Sequence, residues 1–301
     1  MNIFLTGATG YIGSSVAVHL KNKGHAVYGL VRNPEKAAAV QALGIMPVVG
    51  TLDDVALLAQ YAAQSDAVIH TADADHEQAV AVMLQALEGT GKTFIHTSGS
   101  SVVGDDALGA TESPFIYDET TPFTPMDIRR ARVALNERVL HAGRERGIRT
   151  VVIVPSMVYG QSLGLDVSSD QLPVVFRKSQ EAGIGIYMGE GLNRWSNVHI
   201  ADLVTLYQLA LEQAPTGSYF FAENGEASYK ELAGYVSEAL GFGGATRSWP
   251  AGDALAELGD WARFALGSNS RVRALQARQL LGWQPAAAPV REWILSQKKQ
   301  A

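Results

Sequence analysis

Asn2-Ile3-Phe4-Leu5-Thr6 runs directly into Gly7-Ala8-Thr9-Gly10-Tyr11-Ile12-Gly13, and this junction decides how the rest of the chain is read. An apolar strand, a glycine turn and the start of an amphipathic helix (Ile12–Lys23) follow one another without a break. Each glycine has a physical task. Gly7 allows a tight turn, Gly10 lets a pyrophosphate approach the backbone, and Gly13 permits close helix–strand packing. The phosphates would then meet unpaired N–H groups at the positive end of the helix dipole. The spacing G-x-x-G-x-x-G is one residue longer than the dinucleotide consensus G-x-G-x-x-G. Glycines also serve ordinary turns, but strand, turn and helix in this order favour a bound dinucleotide. Thr6, Gly7, Thr9, Gly10, Tyr11, Ile12 and Gly13 are its expected contacts.

Beyond the junction, short β-rich runs alternate with longer helical patterns. Strands are expected at Ala26–Val31, Ile45–Val49, Ala67–His70 and Thr93–Thr97. Helices are expected at Asp53–Gln64, at Glu77–Leu87, and from Pro34 to a stop before Gly44. Such alternation implies right-handed βαβ units and a parallel sheet covered on both faces. Val151-Val152-Ile153-Val154 supports this, being continuously apolar as a strand buried on both faces requires. The expected fold is α/β, a doubly wound parallel sheet. Two long irregular segments, Gly99–Thr124 and Ser156–Asp170, follow the carboxyl ends of strands, where this architecture binds ligands. After about residue 222 the pattern turns mainly helical (Tyr229–Leu240, Asp253–Phe264, Arg271–Leu281). The expected division is a dinucleotide-binding domain from 1–155 plus 195–222, and a smaller substrate domain from 156–194 plus 223–301.

Composition narrows the class further. With 24 Lys plus Arg against 30 Asp plus Glu the formal charge is 24 − 30 = −6, whereas a nucleic-acid protein normally shows a basic surplus. At 47% hydrophobic and 18% charged residues, the chain has the composition of a folded globular protein. The absence of cysteine removes disulfides, thiolate catalysis and cysteine zinc sites together. No apolar run approaches the roughly 20 residues that span a bilayer, and the first apolar stretch lacks the form of a signal peptide. The expectation is a soluble, cytoplasmic protein that binds neither nucleic acid nor membrane and holds no metal.

The glycine spacing resembles that of the short-chain dehydrogenase/reductase superfamily, in its extended, epimerase-like branch, and the resemblance covers nearly the whole chain. Val68-Ile69-His70-Thr71-Ala72 is similar to the family's cofactor-flanking segment after the fourth strand. Phe94-Ile95-His96-Thr97-Ser98, with Val102-Val103-Gly104, resembles its active-site serine strand. Val154-Pro155-Ser156-Met157-Val158-Tyr159-Gly160 resembles its proline–serine turn near the nicotinamide. Gly189 through Asp202 and Leu281-Gly282-Trp283-Gln284-Pro285 are similar to its re-entry strand and C-terminal signature. The resemblance implies a Rossmann-type sheet with a mainly helical substrate domain. It also implies cofactor contacts from Thr71, Ala72, Thr97, Pro155, Ser156 and Val158. Extended members commonly pair through the two helices flanking the active site, here Glu77–Leu87 and Met126–Arg146, so a homodimer is expected.

NAD enzymes of this fold place an acid after the second strand, whereas an Arg there accommodates the 2′-phosphate of NADP. This chain reads Leu30-Val31-Arg32-Asn33-Pro34, with Lys36 close by and no acid before Glu35. Arg32 and Lys36 therefore point to NADP over NAD, the competing reading being a solvated arginine at a strand end. Where the family has an adenine-contacting Asp before a Leu, Thr51 precedes Leu52. The family's catalytic Tyr is followed four residues later by a Lys, but none of the ten tyrosines here has that partner. Alignment puts Ile128 at the Tyr position, Arg132 at the Lys position, and Gly99 at the Ser position between Ser98 and Ser100. The chain thus resembles an atypical subgroup without the pair.

An Arg is not deprotonated under physiological conditions, so Arg132 can orient a ribose or substrate but cannot act as a base. Arg129 shares its helix face approximately and competes for the role. Candidate proton carriers are Asp75 and His76 after the fourth strand, with a helix N-terminus as their alternative use, and Tyr117 in the long loop. Ser98 is the candidate for holding a substrate oxygen. Ser100, Tyr159, Asn193, Arg194 and Trp195 are the expected substrate contacts, with Trp195 equally suited to a core. The expected function is an NADP-dependent oxidoreductase or epimerase-like enzyme acting on a small carbonyl or hydroxyl compound. The alternative is an NADP-binding sensor without hydride chemistry.

Overall fold

Strands whose side chains are apolar on both sides pack only between two helical layers, and the centre of the large sheet is built from such strands. The structure, a computed structural model, describes residues 1–297; the expected substrate domain's last four residues lie outside that range. The strands are β1 (Asn2–Thr6), β2 (Ala26–Val31), β3 (Met46–Val49), β4 (Ala67–His70), β5 (Thr93–Thr97) and β6 (Arg149–Pro155). Three short strands follow, β7 (Met157–Tyr159), β8 (Gly185–Met188) and β9 (Arg194–His199), before β10 (Ser218–Ala222) completes the sheet. The order is β10-β6-β5-β4-β1-β2-β3, and every pairing is parallel. All of β4 and β5 is buried, as is β6 beyond its first residue.

Helices α1 (Tyr11–Asn22), α2 (Ala37–Ala42), α3 (Val55–Gln64), α4 (Glu77–Leu87), α5 (Arg130–Glu145) and, later, α7 (Ile200–Gln213) accompany the large sheet. The helix opened by Pro34 starts as a 3₁₀ turn over Pro34–Lys36, because Asn33 caps it by accepting from the Glu35 amide, and continues as α2. α6 (Gln171–Ala182), α8 (Tyr229–Ala239), α9 (Ala251–Leu258), α10 (Leu275–Leu281) and α11 (Val290–Ser296) make the C-terminal half mainly helical. Two small sheets join them, β11 (Glu226–Ser228) with β9 and β7, and β12 (Thr246–Trp249) with β8. The expected helix Asp253–Phe264 is instead α9 followed by a π-helix over Ala262–Gly267.

The apolar core falls into two clusters. The larger holds the parallel sheet, and it also takes Val272, Ala274, Ala277, Leu281 and Trp283 from the C-terminal stretch. The smaller contains Trp195 together with Met157, Tyr159, Leu172, Tyr229 and Leu266. Segment 272–283 and Trp195 therefore lie on the opposite sides from those expected of them. Trp283 explains the first exchange: its indole N–H donates to the Asp202 carbonyl at 3.0 Å, at the start of α7.

Candidate functional site

The chain runs from β1 outward to β2 and β3, then returns to β4 on the other side of β1. The carboxyl ends of β1 and β4 thus form the switch point at which doubly wound sheets bind ligands. At two of the glycines following β1 there is no room for a side chain. Gly7 has φ +81°, and a Cβ there would lie 2.8 Å from Thr71 Oγ1 and 2.9 Å from the Ala72 backbone. On Gly13 a Cβ would stand 2.1 Å from the Gly7 carbonyl oxygen. Gly10 differs, since its Cβ would meet only that same oxygen, at 3.4 Å. Gly10 is the N-cap of α1 and supplies no side-chain cap, so first-turn amides remain for another acceptor. A pyrophosphate fits this cradle, which combines glycine walls with an uncapped helix start.

From the cradle a cleft of about 710 Å³ extends over the carboxyl edge of the sheet, lined by Gly10, Tyr11, Ile12, Gly13, Thr71, Asp75, Ser98, Ser100, Arg129, Arg132, Pro155, Ser156 and Val158. Ser168, Ser169, Asp170, Gln171, Trp195, Trp261, Phe264 and Ala265 close it from the other side. Helix α5 and the 3₁₀ turn leading into it supply much of its chemistry, because Arg129, Arg132 and Asn136 recur at i, i+3 and i+7 on one face. Arg132 donates to both oxygens of Asp75, Nε at 2.8 Å and Nη2 at 2.5 Å, a bidentate charge-assisted pair. These bonds hold the Asp75 carboxyl below the ordinary carboxylate pKa, against the opposing effect of its partial burial. Asn136 Nδ2 donates to Ser98 Oγ at 3.0 Å, leaving the serine hydrogen free to be donated elsewhere. Arg129 is buried with its guanidinium 3.7 Å from the centroid of the Phe264 ring. Burial, with the Arg132 charge beside it, lowers the Arg129 pKa to about 10.

Behind this wall, His70 on β4 stacks on His96 on β5 with ring centroids 5.5 Å apart. His70 bonds Thr6 Oγ1 through Nδ1 at 2.7 Å and the Asp73 carbonyl through Nε2 at 2.8 Å. Its burial lowers its pKa to about 4. Among the described residues, His96 has no hydrogen-bond partner at either ring nitrogen, and burial, then the neighbouring His70, pushes its pKa well below the ordinary value.

Other expected site residues lie elsewhere. His76 caps α4: its Nδ1 accepts from the Ala79 amide at 3.1 Å while Nε2 meets Asp53 Oδ1 at 3.3 Å, and it is absent from the cleft wall. Tyr117 is tied by backbone bonds to Arg271 and Arg273, with its ring against Phe123, and lines a separate surface hollow. Thr6 and Thr97 are buried, Thr6 on His70 and Thr97 on the Tyr207 hydroxyl at 2.6 Å. Asn193 donates to the carbonyls of Leu266 and Ser268, Arg194 pairs with Glu231 and Glu112, and Tyr159 donates to the Ala288 carbonyl. Each serves the smaller core or its surface rather than the cleft. Trp195 does line the cleft, anchored by its indole N–H on the Ser268 carbonyl at 2.7 Å. Ser100 lines it too, while accepting from the Ser270 hydroxyl at 2.7 Å.

Ile128, aligned at the Tyr position, is 44% exposed on a 3₁₀ turn, and Arg129 takes the inward place. Arg32 and Lys36 are exposed beyond the end of β2. Thr51 is bound up with Asp54, whose carboxylate accepts from its amide at 2.5 Å and its hydroxyl at 3.1 Å, while Leu52 packs on the larger core. Asn136, Trp261, Phe264 and the 168–171 wall were not singled out by the sequence; Asn136 alone carried a signal, standing four residues after Arg132 on α5. Among the described residues, no group of three or more His, Cys, Asp or Glu side chains converges to hold a metal ion. Nor is any described helix long and apolar enough to cross a membrane.

A glycine cradle at the switch point of a parallel sheet, opening onto a cleft along its carboxyl edge, defines a doubly wound fold of the dinucleotide-binding class. The chain belongs to the NAD dependent epimerase/dehydratase family, whose model matches residues 3–220. It is 30% identical over 339 aligned residues to the oxidase ucsJ of Acremonium sp, covering 99% of this chain and 97% of the relative. It is 27% identical to a 4-hydroxy-2-methyl-3-oxo-4-farnesyl-3,4-dihydroquinoline-1-oxide ketoreductase of Stigmatella aurantiaca, over 94% and 87% of the two chains. The fold matches UDP-glucose 4-epimerase of Thermotoga maritima with a TM-score of 0.77 at 19% identity, over 99% and 97% of the chains. Family and relatives place the chain among oxidoreductase or epimerase-like enzymes.

Proposed function

We propose that the chain is an NADP-preferring oxidoreductase that reduces a small carbonyl compound or oxidises the matching hydroxyl compound. One juxtaposition carries this reading: the glycine cradle opens onto the same cleft as Ser98, Arg129 and Arg132. When bound, the dinucleotide supplies or accepts a hydride. Ser98, with its oxygen already accepting from Asn136, donates its hydrogen to the substrate oxygen. The two guanidinium groups bring positive charge to the place where an oxyanion develops, in a cleft partly shielded from water. Asp75 stays ionised and holds Arg132 in position, so it is not the proton donor, and the proton for the product oxygen comes from elsewhere in the cleft or from water. NADP is favoured because Arg32 and Lys36 are exposed just past β2, the neighbour of β1, and neither is in an ion pair among the described residues. The ketoreductase and oxidase relatives fit the same class of chemistry.

A sensor without hydride chemistry is the second reading, and one observation favours it. The only tyrosine on the cleft wall among the described residues, Tyr11, already gives its hydroxyl hydrogen to the Gly160 carbonyl at 2.8 Å. The experiment is NADPH oxidation against a panel of aldehydes, ketones, imines and enones, beside direct NADP binding. Turnover on a carbonyl compound supports the enzyme; tight binding with no turnover on any compound supports the sensor.

A further inference from the structure

Among the described residues, Arg129 is a buried cation without an ion-pair partner. The residue is 5% exposed, and its Nε has no hydrogen-bond partner. The neighbouring carboxylate, Asp75, gives both oxygens to Arg132. Asp170, the other acid on the wall, is exposed and forms no ion pair with Arg129. Other partly buried arginines have their donors matched: Arg271 meets Glu226 and Glu112, Arg278 meets Glu223, and Arg149, with no acid beside it, donates to three backbone carbonyls and the Thr93 hydroxyl. The Phe264 face attracts the guanidinium, but a ring face offsets only part of what burying an ion costs. A group from outside the chain would complete the pairing. The surroundings describe that group's carrier, since Trp195, Trp261 and Phe264 supply apolar walls and Ser98 a hydroxyl.

We propose that Arg129 binds a carboxylate of the substrate, so that the cleft takes a small oxo acid bearing an apolar or aromatic group. Ser98 then meets the oxo oxygen while the aromatic walls cover the apolar part. This rests on reading the cleft as a carbonyl-reducing site, although its test needs no turnover.

Trp195 and Trp261 on the wall supply a fluorescence signal for titrating the full chain, with and without NADP, using benzoylformate and its methyl ester. The acid should bind more tightly than the ester by about tenfold or more, as expected for a charge-assisted contact. Arg129→Gln should bring the two within about twofold of each other, with NADP affinity unchanged, and Arg129→Lys should keep part of the preference. Equal binding of acid and ester by the unaltered chain would overturn the proposal, and needs no variant to fold. So would an acid preference that survives in a folded Arg129→Gln. A loss of NADP affinity of about tenfold in that variant would also overturn it, by assigning the guanidinium to the cofactor. Failure of the unaltered chain to bind NADP would sink the proposed function instead, leaving the cofactor-free comparison to judge Arg129.

Discussion

Gly10 and Gly13 stand three residues apart and exclude side chains for different reasons. A methyl on Gly13 would collide with the Gly7 carbonyl inside the protein, whereas one on Gly10 would reach only ordinary contact distance. Gly10→Ala should therefore keep the fold, costing no more than about 1 kcal/mol as a poorer N-cap. It should still weaken dinucleotide binding by about tenfold or more, by filling the space of the approaching phosphates. Gly13→Ala should destabilise the apoprotein itself, which thermal unfolding of the two variants distinguishes. At the end of β2 the residue proposed to decide the cofactor is Arg32. Arg32→Asp should weaken NADP binding by about tenfold to a hundredfold and leave NAD binding unchanged or improved, each tenfold being about 1.4 kcal/mol. The glycines were legible because strand, turn and helix follow one another around them without a break. His76 was not, because capping and acid–base roles use the same residue type at the same place.

Helix α5 shows how far periodicity reaches. The sequence placed Arg129 and Arg132 on one face, and the structure adds Asn136 to it. What spacing left open was which of two adjacent residues, Ile128 or Arg129, turns inward. That depends on the 3₁₀ turn over Asp127–Arg129 ahead of the helix, and both residues suit such a turn. The face predicts a specific loss. Asn136→Ala removes the bond that orients Ser98 and should cost about 1 kcal/mol of stability. Turnover should fall with little change in NADP affinity, as denaturant unfolding and steady-state kinetics would read. Loss of NADP binding in that variant would place Asn136 on the cofactor instead. The π-helix over Ala262–Gly267 lay beyond sequence reasoning altogether. It brings Phe264 to the cleft through packing against a distant part of the chain, which no local pattern records.

Across the whole molecule, the parallel sheet was legible because strands buried on both faces need continuous apolar runs. The lobe boundary was not, since Trp195 and the 272–283 segment choose their core by three-dimensional neighbours. The stacked histidines at the centre of the sheet give the molecule a pH dependence. His70 titrates near 4 when folded and near its ordinary 6.5 when unfolded, so between those values the unfolded chain binds the extra proton. Stability should be full above about pH 6.5 and fall towards pH 4, by on the order of 3 kcal/mol for His70, with His96 adding in the same direction. Below that range Asp75, whose folded pKa is depressed, loses its own contribution as it becomes protonated. Denaturant unfolding from pH 7 to 4 should show the fall, and His96→Phe should make it shallower by up to about 1.4 kcal/mol per pH unit. A flat profile would mean that the buried pair does not stay neutral.

The central claim is that the glycine cradle and the arginine past β2 together form an NADP site serving the cleft. Calorimetric titration of the purified chain with NADPH and with NADH tests it most directly. The account predicts one site per chain, with NADPH bound about tenfold or more tightly than NADH and the preference abolished in Arg32→Asp. Absence of binding heat with either dinucleotide would contradict the cradle, and tighter binding of NADH by the unaltered chain would contradict the role given to Arg32.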